Sequence, residues 1–187
     1  MTSRVVLSVG SNLGDRVAHL QSVLDGLGDA VRAVSAVYET AAWGGVEQGA
    51  FLNAVVLAED PDLDGHGWLR RAQDLEEAAG RVRERHWGPR TLDVDLVQCH
   101  GPGSGPGGGP GGEVRLQDDD LTLPHPYAHV RAFVLVPWLE VEPDATLTVG
   151  DRTDPIAVHL AAVDPAERAG VRRTDLSLRL RDRNRWD

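Results

Sequence analysis

Thr91-Leu92-Asp93-Val94-Asp95-Leu96-Val97 alternates polar and apolar side chains with a period of two, the pattern of a β-strand with one buried and one polar face. Leu92, Val94 and Leu96 fall on one side, and Thr91, Asp93 and Asp95 on the other. Residues two apart on a strand stand about 6.6 Å apart by strand rise, so both carboxylates look into one space. Like charges so placed repel, and a hard divalent cation relieves the repulsion. Mg²⁺ fits this chemistry: it prefers oxygen, keeps several waters, and is usually held by one or two carboxylates plus substrate phosphates. An unaccompanied Asp-x-Asp is more often a solvated strand face, so its neighbours decide the reading.

Just upstream, Trp87-Gly88-Pro89 forces a turn. Residues 81–90 carry Arg81, Arg83, Arg85 and Arg90 against Glu84 alone, a local surplus of positive charge in a chain of formal net charge −10. Guanidinium groups crowded beside metal-binding carboxylates suggest a polyphosphate, with the cation bridging some oxygens and arginines taking the others. Phosphoryl-type transfer is therefore the leading reaction class. The overall acidity argues against general affinity for nucleic acid or anionic lipid, both of which need surplus Lys and Arg.

Further out, the period changes. Trp68, Leu69, Ala72, Leu75 and Ala79 give an amphipathic helix over about Asp64 to Ala79, on which Gln73 and Glu76 are three apart and share a side. Before it come strands at Phe51 to Ala58 and Val34 to Thr40, joined by the glycine-containing loop 42–49, long enough to be functional. At the N-terminal end a valine-rich strand from Arg4 to Val9 stops at Gly10-Ser11-Asn12. A helix follows from Asp15 to Leu27, with Asp15 as cap and Gly28 as stop. Several strands succeed one another without an intervening helix, so an α+β layering is expected rather than a doubly wound parallel sheet.

Downstream, His125-Pro126 starts a turn and Val130 to Leu139 reads as a short apolar helix broken near Pro137. Leu147, Val149, Ile156, Val158 and Leu160 mark further packing elements. A densely charged tail from about residue 172 is expected to be loosely held. Gly101 to Gly112 holds only glycine, proline and one serine, a flexible spacer. It lacks the Gly-Lys-Ser/Thr ending of a phosphate-cradling loop, and its prolines remove the N–H groups that would do the cradling.

With 187 residues, 41% hydrophobic and 26% charged, the chain suits one domain spanning 1–187 around one well-buried core. The N-terminus lacks a basic segment followed by a long apolar run, and no stretch approaches the roughly 20 apolar residues needed to cross a bilayer, so a cytoplasmic protein without membrane partners is expected. The single cysteine, Cys99, excludes an internal disulfide and a cysteine-cluster metal site.

The run Trp87-Gly88-Pro89-Arg90-Thr91-Leu92-Asp93-Val94-Asp95-Leu96 closely resembles the signature of the 6-hydroxymethyl-7,8-dihydropterin pyrophosphokinase family. Further matches occur in consistent order over roughly residues 4 to 145. They are Gly10-Ser11-Asn12-Leu13-Gly14, Tyr38-Glu39-Thr40, Phe51-Leu52-Asn53-Ala54, Gly80-Arg81-Val82-Arg83, and Leu123-Pro124-His125-Pro126 leading to Arg131-Ala132-Phe133. The resemblance implies a ferredoxin-like, mainly antiparallel sheet covered by helices in three α/β/α layers. It also implies a monomeric enzyme of folate synthesis that moves the pyrophosphoryl group of ATP onto the pterin and releases AMP. Two Mg²⁺ ions would be held by Asp93 and Asp95.

By the same resemblance, Phe51 and Phe133, the only two phenylalanines of the chain, match the rings that stack on the pterin. Asn53 with Thr40, Ala42 and Trp43 matches the groups that read its polar edge. Gln73, Glu76, Arg83, Trp87, Arg90, Thr122, His125 and Arg131 match positions around ATP. Arg81 and Arg90 match arginines used in catalysis, and the basic loop and residues 43–48 match segments that close over the substrates. Asp120, Pro126 and His129 stand where the family can carry arginine, tyrosine and lysine, and the basic loop is one residue shorter. Altered nucleotide contacts are expected, with the metal pair, Arg90 and both rings retained. Taken singly, the phenylalanines read as core, Glu76 as a solvated helix residue and His125 as a turn cap. Two other classes share part of the pattern. A different metal-dependent nucleotidyl or phosphoryl transferase would lack the Phe51, Asn53 and Phe133 pocket, and a small RNA-binding module would carry a basic surface.

Overall fold

The computed structural model describes residues 2–41, 49–80, 91–101 and 112–181. In chain order these form β1 (Ser3–Ser11), α1 (Arg16–Leu27), β2 (Val31–Val34), β3 (Tyr38–Thr40), β4 (Phe51–Asp60), α2 (Gly65–Ala78) and β5 (Asp93–His100). There follow β6 (Leu116–Gln117), β7 (Thr122–Leu123), α3 (Ala132–Val141), β8 (Thr146–Val149), β9 (Arg152–Pro155), α4 (Ile156–Ala162), α5 (Pro165–Ala169) and β10 (Arg172–Arg173).

The main sheet runs β10-β3-β4-β1-β5, with β2 also on β4, and each of these pairings is antiparallel. β1 and β2 therefore point the same way with β4 between them, which makes β1-α1-β2/β3-β4-α2-β5 the split βαβ arrangement of a ferredoxin-like sheet. Alternation sorts the strand residues onto two faces. Val5, Leu7, Val9, Ala54, Val56, Val94 and Leu96 join one apolar cluster with Leu20, Leu24, Trp68 and Ala72 of α1 and α2. Val6, Val55, Leu57 and Val97 join a second cluster with Leu135 and Trp138 of α3 and with Leu147 and Ile156. Helices thus cover both faces, giving the three-layer α+β architecture.

Local chemistry sets the boundaries. The Asp15 carboxylate accepts from Ala18 N at 3.0 Å and opens α1, and Gly28, at φ +56°, closes it by donating its N–H to Leu24 O. Asp64 opens α2 in the same way, accepting from Gly67 N at 2.7 Å. One expected strand at Val34 to Thr40 is two, because Ser35 interrupts the ladder: its N–H donates to Val55 O and its hydroxyl accepts from Val55 N.

The expected break near Pro137 does not occur, since α3 runs through it to Val141. An interior proline costs about 3 kcal/mol. Leu135 and Trp138 are fully buried beside it, and at about 1.5–3 kcal/mol for each large apolar side chain their burial offsets that cost. The C-terminal segment up to residue 181 is docked rather than loosely held. Arg172 and Arg173 pair with Glu39 and Tyr38, Thr174 donates twice to Val37 O, Leu178 is buried against the α1 side, and Gln21 exchanges two hydrogen bonds with Arg179. The glycine-rich spacer expected at 101–112 lies mostly outside the described residues, but its two ends meet: Gly101 N donates to Gly112 O, and Val114 N to Cys99 O.

Candidate active site

Asp93 and Asp95 alternate with Val94 and Leu96, which pack toward α1 and α2, so both carboxylates project from the opposite, α3-covered face. Asn53 and Phe51 alternate in the same way with Leu52 and Ala54 on β4. Register completes the arrangement: Gly10 of β1 is the Cα partner of Asn53 on one side and of Asp93 on the other. One row across three strands therefore reads Asn53, Gly10, Asp93. The row beside it reads Val55, Ser8, Asp95. With strands about 4.8 Å apart, Asn53 and Asp93 stand roughly 10 Å from each other.

Gly10 makes the row possible. A Cβ there would lie 3.0 Å from Asn53 Oδ1 and 3.6 Å from Phe51 Cδ1. Asn53 is itself buried, 4% exposed, and its Nδ2 donates to Thr40 Oγ1 at 2.8 Å, the Cα partner of Thr40 being Phe51. Thr40, Phe51 and Asn53, inferred from separate stretches of sequence, are thus brought together on adjoining strands. Phe133, half-buried on α3, packs at the edge of the cluster on this same face. The Arg131 guanidinium lies over its ring at 5.7 Å and over Tyr127 at 5.5 Å, within cation–π range. The ring expected at the pterin and the arginine expected at the nucleotide are therefore neighbours.

The His125 backbone N–H donates to Val97 O of β5 at 2.8 Å, and its Nδ1 accepts from Tyr127 N at 3.1 Å. That bond requires the neutral ring with its proton on Nε2. Burial first, then the Arg131 charge, hold its pKa down to about 4 against the opposing pull of Asp93, so the imidazole stays an uncharged donor within reach of the Asp93 charge. Its turn-capping role and its place near the site are the same placement.

Glu76 departs from a solvated helix residue: it is 5% exposed, and its Oε1 accepts from Val94 N at 2.9 Å. That N–H lies between the two aspartates on the side of β5 away from β1, so α2 holds β5 by a charge-assisted bond. Gln73, on the same helix, is exposed, so the two do not form one polar face. Thr122 is half-buried on β7, paired with Gln117. Ala42, Trp43, Arg81, Arg83, Trp87 and Arg90 lie outside the described residues. Thr91 Oγ1, two residues before Asp93, is buried and has no hydrogen-bond partner among the described residues. Sequence reading missed Gly10 as a site residue because it looked like the start of a turn; the signal was a glycine inside a run that keeps strand alternation up to Ser11.

Residues 6–143 match the model of the 7,8-dihydro-6-hydroxymethylpterin-pyrophosphokinase (HPPK) family. The chain belongs to that family. It is 58% identical over 179 residues to the 2-amino-4-hydroxy-6-hydroxymethyldihydropteridine pyrophosphokinase of Mycobacterium leprae (strain TN), covering 96% of this chain and 93% of that one. With the protein of the same name from Mycobacterium tuberculosis (strain ATCC 25618 / H37Rv) it shares 56% over 170 residues, 91% and 89% of the two chains. Among solved structures, Plasmodium falciparum HPPK-DHPS wild type with STZ-DHP matches with a TM-score of 0.60 at 14% identity, over 86% of this chain and 43% of that one. This chain thus spans less than half the length of that protein, and the likeness is one of fold. Among the described residues, no helix is long and apolar enough to cross a membrane.

Proposed function

We propose that the chain transfers the pyrophosphoryl group of ATP to 6-hydroxymethyl-7,8-dihydropterin, yielding the pterin diphosphate and AMP in folate biosynthesis. Family membership carries the reaction, and the Asn53, Gly10, Asp93 row supports its layout on this chain. A bicyclic ring read by Asn53 and Thr40 would extend its one-carbon arm along the sheet toward the acidic pair. Phe51 and Phe133 would take the faces of the ring, and the buried Asn53 amide would reject a look-alike whose edge left it unpaired.

Two half-buried carboxylates on one strand, with no group of three or more His, Cys, Asp or Glu among the described residues, suit Mg²⁺ completed by phosphate oxygens and water. Asp93 and Asp95 would hold two such ions, which when bound would offset charge on the phosphate oxygens. The rest falls to the chain itself. Glu76 fixes Val94 and with it the spacing of the two aspartates. Neutral His125 offers an N–H, and Arg131 a cation, to the nucleotide side, where Gln73, Arg83, Trp87, Arg90 and Thr122 complete the ATP contacts and Arg81 and Arg90 meet charge developing in transfer. The hydroxymethyl oxygen attacks the β-phosphorus and releases its proton to solvent, the bond from that phosphorus to the bridging oxygen of the α-phosphate breaks, and AMP leaves carrying that oxygen. Holding those groups in line supplies most of the rate.

The test is to incubate the protein with Mg-ATP and the reduced pterin and separate the products. AMP and diphosphorylated pterin in equal amounts are expected. ADP in place of AMP means that the wrong phosphoanhydride bond is cleaved and removes the proposal.

A further inference from the structure

Behind the pterin-reading strands lies a polar linkage that the proposed chemistry does not use. Arg16, first residue of α1, sends Nη1 to Ala50 O at 2.8 Å and to Glu39 Oε2 at 3.4 Å. Glu39 Oε1 in turn takes Arg172 of the C-terminal segment at 3.2 Å. The neighbours of these groups give the linkage its meaning. Ala50 immediately precedes Phe51 and Glu39 immediately precedes Thr40, while Thr40 and Phe51 are Cα partners and Thr40 holds Asn53. A single guanidinium therefore ties together the two chain segments that deliver the pterin-reading residues. It does so from the α1 side of the sheet, because Glu39 alternates with Tyr38 and Thr40. Asn12 adds a second tie from the same β1–α1 turn, its Nδ2 donating to Gly49 O at 3.3 Å.

We infer that Arg16, oriented by Glu39 and Arg172, is a positioning residue for pterin recognition: it sets the distance between β3 and the start of β4, and so the placement of Thr40, Phe51 and Asn53. The inference rests on the proposed pterin site. It also gives the turn between β1 and α1 and the docked C-terminal segment a role beyond connection. Arg16 and Glu39 are each about one-third exposed, 33% and 31%, so their ion pair alone contributes little. The bond to a backbone carbonyl beside the pocket carries the larger share. Arg172, 72% exposed, contributes least and acts by steadying Glu39.

Steady-state kinetics of Arg16→Ala, Arg16→Lys, Glu39→Gln and Asn53→Ala, each with ATP and the reduced pterin varied in turn, test this. Arg16→Ala is expected to raise the pterin KM about tenfold, the lower end of the range for one hydrogen bond to a charged group, while kcat and the ATP KM stay within about twofold of wild type. Arg16→Lys, which keeps one donor for Ala50 O, should recover most of the loss, and Glu39→Gln should raise the pterin KM by a smaller factor. An unchanged pterin KM in Arg16→Ala, or a fall in kcat with both KM values constant, overturns the inference. Asn53→Ala separates the two levels. If it raises the pterin KM while Arg16→Ala does not, only the positioning role fails; if neither moves it, the pterin site and the inference fall together.

Discussion

Removing the Glu76 carboxylate should loosen β5, which carries the acidic pair, before it disturbs nucleotide binding. Its Oε1 accepts the Val94 N–H at 2.9 Å in a side chain 5% exposed, and Val94 is itself 5% exposed, so in Glu76→Ala that N–H loses its acceptor in a place water reaches poorly. Loss of a hydrogen bond to a charged group costs about 1.5–3 kcal/mol. For a chain of this size each kcal/mol shifts Tm by roughly 2–4 °C, which predicts a fall of about 3–12 °C. Glu76→Gln keeps a carbonyl acceptor at the same reach and should recover most of that loss. Because Val94 separates Asp93 from Asp95, kcat should fall in Glu76→Ala and return substantially in Glu76→Gln. Thermal denaturation followed by circular dichroism, with kcat and the ATP KM measured on the same preparations, distinguishes this from direct nucleotide contact. A Glu76→Ala protein with unchanged Tm and a raised ATP KM would rule out the strand-holding role and return Glu76 to the nucleotide.

Asp95→Ala should abolish turnover with Tm nearly unchanged, since the side chain is half-buried on a strand held from its other face; near-normal activity in that variant removes the metal assignment. Gly10→Ala brings a Cβ to 3.0 Å from Asn53 Oδ1, so Asn53 must shift against its bond to Thr40; a raised pterin KM with the ATP KM unchanged is expected, together with about 1–3 kcal/mol lost in urea denaturation. His125 has a folded pKa of about 4, below its ordinary 6.5, so the unfolded chain binds the extra proton first. Its contribution is complete above pH 6.5 and is lost as pH falls toward 4, by at most about 3 kcal/mol. The difference in unfolding free energy between pH 7 and pH 4.5 should shrink in His125→Gln, and an identical difference in both proteins counts against a buried neutral ring. Burial first, and the Asp64 charge second, push the Cys99 thiol up to about 12, so a thiol reagent at pH 7.5 should label the native protein far more slowly than the urea-unfolded one.

Much of the fold and part of the site were legible in the residues because they rest on short-range regularities. Alternation around Asp93 and Asp95 gave β5 its polar face, the 3.6-residue spacing and the Asp15 and Gly28 signals marked α1, and the order of strands and helices favoured an α+β layering over a doubly wound sheet. Where burial outweighs local preference, such reading misled. Pro137 sits inside α3 because Leu135 and Trp138 bury beside it, and the charged segment after Arg172 docks because Leu178 reaches the core and its neighbours find hydrogen bonds on α1 and β3. Glu76, hydrophilic by type, is buried because the Val94 N–H of β5 needs an acceptor.

Residue order alone set out the chemistry on offer: two carboxylates two residues apart, an arginine-rich approach to them, two phenylalanines, a lone cysteine and the motifs that mark the family. Only tertiary structure decided which of these meet. Strand register aligned Asn53, Gly10 and Asp93 across three strands, and helix packing brought Phe133 and Arg131 onto the same face. It also set Arg16 behind Thr40 and Phe51. Residues far apart in the chain become neighbours through backbone hydrogen bonds and side-chain burial summed over the whole sheet, and no local window of sequence contains that sum.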